Sequence, residues 1–142
     1  SLNLSKKRES LMQSALMLSG RVLLALYFVL PGIAKFISWE RHIALMETHE
    51  MVMVPILLTL AGLLQIAGGL LLLMNRHVVV CALGFAAMVL LINFNLHDFW
   101  NVYDGVNAER ETQNFVKNLA VFAGLLVLAA AHIAPVGDTS RD

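Results

Sequence analysis

Residues 78–92 read VVVCALGFAAMVLLI, with no charged side chain and no polar stripe at any helical spacing. A helix that is apolar all round belongs in a core or in lipid, whereas the helices of a soluble bundle need polar outer faces. Residues 119–131, LAVFAGLLVLAAA, show the same pattern. Working outward, four apolar stretches stand out, at Met12–Leu30, Val52–Met74, Val78–Leu96 and Phe115–Ile133. At about 1.5 Å rise per residue, roughly 19 residues cover the ~30 Å hydrocarbon core of a bilayer. The expected fold is all-α: an integral membrane, antiparallel bundle of four transmembrane helices in a single domain over residues 1–142.

Composition agrees. The chain is 58% hydrophobic and 14% charged, with mean hydropathy +0.73. A soluble domain carries roughly 25% charged residues. Formal charge is zero, so no basic field argues for nucleic acid. The single cysteine, Cys81, excludes an internal disulfide, a C-x-x-C redox pair or a cysteine-held iron–sulfur cluster. Lys6-Lys7-Arg8 ahead of Leu11–Leu30 looks like a secretory signal. The run is too long, Arg21 interrupts it, and no small-x-small cleavage site follows, so it reads as a retained first helix.

Four spans put both termini on one side, with Lys6, Lys7, Arg8, Arg76 and Arg141. The opposite side holds Lys35, Arg41, Arg110 and Lys117 among more acids, and also Trp39, Trp100 and Tyr103, which suit an aromatic interfacial belt. The positive-inside rule then places both termini in the cytoplasm. Ser38–Glu50, between the first two spans, can form a short amphipathic helix with Trp39, Ile43, Leu45 and Met46 toward lipid. Small residues are expected to seat helix on helix, as Gly62 with Gly69, Ala82 with Ala86, and Ala120 with Gly124.

Polar residues inside the spans carry the functional information. Arg21 falls mid-span in the first stretch, where an arginine costs roughly 2.5–3.5 kcal/mol and must face protein. Counting from the inner ends puts Gln65 at the same depth, so an Arg21–Gln65 pair is expected. A neutral amide compensates a buried charge poorly, which calls for a further acceptor, a lipid phosphate or a bound anion. Pro31 is expected to kink or end the first helix, leaving Lys35 near the outer interface.

At the outer ends of the last two spans, Asn93, His97 and Trp100 share one face with Asp98 beside them, and Asn114, Lys117 and Asn118 share another. The expectation is an outward-opening cluster of Lys35, Asn93, His97, Asp98, Lys117 and Asn118, with Asp98 neutralising a lysine. Such a cluster can bind an anion or a quinone-like carbonyl, relay a proton, or simply lock the hairpin. No metal site is expected. Met46, His49, Met51 and Met53 offer soft ligands without strict spacing, and no nucleotide loop or H-E-x-x-H is present.

Four segments in series resemble the DoxX family: Arg21 followed by Gly32-Ile33-Ala34-Lys35-Phe36, then residues 62–69 (GLLQIAGG), then His97-Asp98-Phe99-Trp100, then residues 113–119 (QNFVKNL). The resemblance runs over roughly residues 15–131. It implies a multi-pass bacterial inner-membrane protein that works as an accessory subunit of a membrane oxidoreductase or oxidative-stress system. Members of the family accompany a quinone-reducing thiosulfate oxidoreductase and a mycobacterial complex with superoxide dismutase; distant eukaryotic relatives look like chaperones or cargo receptors. By motif, Arg21, Lys35, His97, Trp100, Lys117 and Asn118 are the positions carried over. Where the family often has a glutamate, this chain has Gln65, and an amide cannot shuttle a proton. No self-sufficient catalytic motif is implied. The expected ligand is quinone-like, and the expected partners are the bilayer, a protein of a membrane complex, or a second copy of the chain. The alternative is a non-enzymatic scaffold, chaperone or small-molecule carrier acting through Ser38–Glu50 and Asn101–Asn114.

Overall fold

The computed structural model describes residues 1–133. Arg141, placed on the terminal side by the sequence, lies outside the described residues. Five helices follow in order: α1 Leu2–Ile37, α2 Trp39–Thr48, α3 Val54–Leu73, α4 Val78–Leu96 and α5 Ala108–Ala131. Of these, α1, α3, α4 and α5 are long and apolar enough to cross a bilayer. The chain is a multi-pass, all-helical membrane protein.

Local chemistry sets the helix ends. Pro55 opens α3, where a missing N–H costs nothing. Asn107 caps α5, its Oδ1 accepting from the Arg110 N–H at 3.2 Å, with Glu109 and Glu111 in the first turn. This cap starts the fourth spanning helix at Ala108 rather than near Phe115, and the polar connection shrinks accordingly. Pro31 does not end α1, which continues to Ile37 and closes with the Ser38 N–H on the Ala34 carbonyl at 2.8 Å. At 36 residues α1 is about 54 Å long, well beyond the hydrocarbon thickness.

The bundle is two helix pairs, α1 on α3 and α4 on α5. Glycines set the first pair's register. A Cβ on Gly69 would lie 2.3 Å from Val29 Cγ2, one on Gly32 2.9 Å from Gln65 Cβ, and one on Gly62 2.6 Å from the Phe36 ring. The pairs join where Phe28 stacks on Phe85, ring centroids 4.0 Å apart, within a core that includes Ala25, Leu72, Val89 and Leu125. Large apolar side chains such as Leu23, Leu64, Leu91 and Val127 point outward, as a lipid-facing surface requires. Ala82 and Ala86 are buried as expected, but Ala120 is exposed, and a Cβ on Gly124 would only graze Leu24 at 3.9 Å.

The amphipathic helix α2 does not turn its apolar face to lipid. Met46 is buried with Val54 and Leu58, and Trp39, Ile43 and Leu96 pack around them. Burying this stripe on the start of α3 and the end of α4 makes α2 a cap on the outer end of the bundle; of the four apolar residues only Leu45 stays exposed.

Candidate functional site

Antiparallel packing of α1 on α3 and of α4 on α5 brings the outer parts of α1, α4 and α5 and the middle of α3 around one cavity of about 420 Å³. Lys35, Gln65, His97, Lys117 and Asn118 line it, with Tyr27 and Pro31 on the α1 wall. Ligand pockets commonly occupy about 300–1,000 Å³, so a small molecule fits. Four of the expected cluster residues therefore meet here. Gln65 joins them, although the sequence had pointed it toward Arg21.

A hydrogen-bond chain forms the back wall. Asn93, fully buried, donates from Nδ2 to the Phe115 carbonyl at 3.1 Å and accepts from Asn118 Nδ2 at 3.0 Å. Asn118 Oδ1 in turn accepts from the Tyr27 hydroxyl at 2.7 Å. This chain ties α1, α4 and α5 together and fixes which way each amide faces. Asn93 thus positions Asn118 rather than lining the cavity itself.

At the outer lip, His97 Nδ1 lies 2.7 Å from Glu111 Oε2. This is the one contact of salt-bridge length between a carboxylate and a basic side chain among the described residues. Glu111 had been counted only as an outer-side charge. Its signal was available: a cap at Asn107 draws the helix outward, and Glu111 then shares a face with Asn118 at i, i+7. Lys35 and Lys117 have no carboxylate within ion-pair distance among the described residues. Gln65 is buried, and its Oε1 has no donor among the described residues. The cavity is lined by two lysine side chains, the Gln65 amide and a hydrogen-bonded His–Glu pair.

Asp98 does not neutralise either lysine. Helix α4 ends at Leu96, so Asp98 leaves the helical face and turns into the following loop. There it accepts from Asn101 Nδ2 at 2.9 Å and from the Tyr103 hydroxyl at 2.5 Å, while the Tyr103 ring packs 4.9 Å from that of His49. Burial pushes the Asp98 carboxyl up, but these two bonds, its own backbone N–H and the nearby His49 imidazole outweigh it and hold it below the usual carboxylate range. A carboxylate so depressed stabilises the fold above its unfolded value, about pH 3.9, and loses that contribution as pH falls through the folded value. Protection factors for amide exchange over residues 99–107, which divide out the intrinsic pH dependence of the rate, should accordingly be high and flat from pH 7 to 5 and fall below about pH 4. Asp98→Asn should show fast exchange already at neutral pH, with no acid transition; an unchanged profile would remove the latch.

Trp100 also lies outside the cavity. It is half exposed and packs against Phe94, Phe99 and Phe115, with ring centroids 5.2–6.0 Å apart. This is the position of an interfacial anchor.

Arg21 is not paired with Gln65. Its Nη1 donates to the Leu72 carbonyl and to the Leu73 carbonyl, the latter at 3.1 Å. The depth count started α1 at Met12, whereas the glycine register slides α1 along α3 until Arg21 meets the last turn of α3. Arg21 thereby caps a helix C-terminus, where orphan carbonyls and the negative end of the dipole favour a cation. Of the methionine and histidine group, Met46 is spent on packing and His49 Nδ1 bonds the Leu45 carbonyl. No cluster of three or more His, Cys, Asp or Glu occurs among the described residues.

The DoxX family model matches residues 16–98. Searches among curated proteins and solved structures gave no match.

Proposed function

The chain belongs to the DoxX family, and from that premise we propose that it serves as an accessory subunit of a membrane redox or oxidative-stress system, holding a quinone-like small molecule in the outer cavity. The observation that supports this is the polar lining of the cavity: two lysines and the Gln65 amide around about 420 Å³. A ligand with carbonyl oxygens can accept from both. Lys35 and Lys117 donate to one ligand oxygen, the Gln65 amide orients the ring side of the ligand, and the His97–Glu111 pair lines the lip. Gln65 itself orients and does not titrate.

The proposed location is a bacterial inner membrane with both termini in the cytoplasm, which the basic Lys6-Lys7-Arg8 cluster favours. The cavity then opens toward the outer leaflet.

Native mass spectrometry of protein extracted gently from its own membranes is the test. A quinone-mass adduct is expected, and Lys117→Met or His97→Ala should reduce it about tenfold, the loss of one charge-assisted hydrogen bond. Lys117→Met should keep the wild-type melting midpoint, since Lys117 is exposed, whereas His97→Ala also removes the partner of the buried Glu111 and should lower it while the protein still folds. Equal loss of folded protein would instead assign these residues to structure. A stoichiometric protein partner without any adduct would favour the non-enzymatic scaffold or carrier. That second reading draws on the exposed charges of α2, including Glu40, Arg41 and Glu47, at the same end of the bundle.

A further inference from the structure

A second cavity lies at the opposite end of the bundle, where α1, the α3–α4 hairpin and the end of α5 meet. It encloses about 320 Å³ and is lined by Gln13, Ser14, Leu18, Arg21, Asn75 and His132, among others. We propose that this cavity binds a phosphate-bearing anion, with Arg21 as its principal cationic contact.

Three observations carry the proposal. First, Arg21 is only 7% exposed, yet no carboxylate among the described residues lies within ion-pair distance of it. The C-terminal carbonyls of α3 supply a partial negative charge of about one half, so part of the guanidinium charge is left uncompensated. Second, those two bonds use Nη1 alone. A guanidinium carries five N–H donors, so Nε and Nη2 keep theirs for a further acceptor. Third, the depth is right. Helix α3 has 20 residues, about the full ~30 Å of hydrocarbon, and Arg21 meets its last turn. That level is the edge of the hydrocarbon, within side-chain reach of the phospholipid phosphates just beyond it. Around the cavity, Ser14, Gln13 and Asn75 offer neutral donors. His132 bonds the Leu128 carbonyl through Nδ1, leaving Nε2 as its other polar atom. Leu18, exposed at the rim, suits an acyl chain.

A phospholipid headgroup and free inorganic phosphate present the same chemistry, and the test separates them. Full-length protein in a maltoside detergent and phosphate-free buffer would receive either phosphatidylglycerol or inorganic phosphate, with melting midpoint and native mass recorded. The expected result is a one-to-one phosphatidylglycerol adduct and a higher midpoint. Arg21→Gln should weaken the adduct by more than about tenfold, in line with loss of a charge-assisted bond. Because Arg21 also caps α3, Ser14→Trp provides the second variant. It fills the cavity, leaves the cap in place, and should abolish the adduct while keeping the midpoint of anion-free protein. If inorganic phosphate reproduces the shift with the same sensitivity to both variants, the site takes the free ion. No response to either anion, or an adduct that survives Ser14→Trp at wild-type level, would overturn the proposal.

Discussion

Gly69→Ala is expected to destabilise the protein by about 1–3 kcal/mol, the usual cost of overpacking, whereas Gly62→Ala should be near neutral. A Cβ at Gly69 would lie 2.3 Å from Val29 Cγ2, 3.1 Å from the Ala25 carbonyl oxygen and 3.3 Å from the Val29 backbone nitrogen. Valine is stiff at χ1 in a helix and the other two atoms are backbone, so relief requires α1 to move off α3. At Gly62 the three nearest atoms to the new methyl are all in the Phe36 ring, the first at 2.6 Å. That ring is 39% exposed and can swing toward lipid. The gain of up to about 1 kcal/mol in helix propensity from Gly to Ala then offsets the adjustment. Melting midpoints in one detergent decide the matter, and similar shifts for the two variants would refute the register described here. Moving α1 would also displace Lys35 and Tyr27, so Gly69→Ala should weaken ligand retention from a distance.

Asn93→Leu is the second large effect. The substitution is close in volume but deletes both bonds of a fully buried amide. Orphaning a buried donor costs about 1–3 kcal/mol in proteins generally. Interhelical hydrogen bonds within membranes average about 0.6 and reach about 1.7, because unfolded spans also find partners. The expectation is therefore about 1–2 kcal/mol for Asn93→Leu and a similar loss for Asn118→Leu. Since the two amides bond each other, the double variant should lose less than the sum, with a coupling of at least about 0.5 kcal/mol. Strict additivity in thermal or denaturant unfolding would show that the chain is not a coupled unit.

Much of the outer site was legible before the structure. Four antiparallel spans force Lys35, His97, Lys117 and Asn118 to one level, and helical spacing places Asn93 and His97 on one face. Asp98 was misplaced because α4 ends at Leu96, and beyond a helix end the 3.6-residue period no longer says where a side chain goes. Glu111 was overlooked because hydropathy begins the last span at Phe115, while the Asn107 cap begins the helix seven residues earlier. The α2 face was sent to lipid because amphipathicity shows that a stripe is buried and not what buries it.

By itself, the sequence determined the membrane class, the number of crossings and the end of the bundle at which the polar residues gather. Those properties depend on side-chain composition summed along each span, and in hydrocarbon the polar backbone groups must be paired, which a helix does within its own span. Axial register is different. An apolar helix can slide along its neighbour by a turn or more with little change in what it exposes to lipid. Only contacts between helices, Gly69 under Val29 and Gly32 against Gln65, stop the slide. For that reason tertiary packing alone decided that Arg21 caps the last turn of α3 while Gln65, near the middle of that helix, lines the outer cavity.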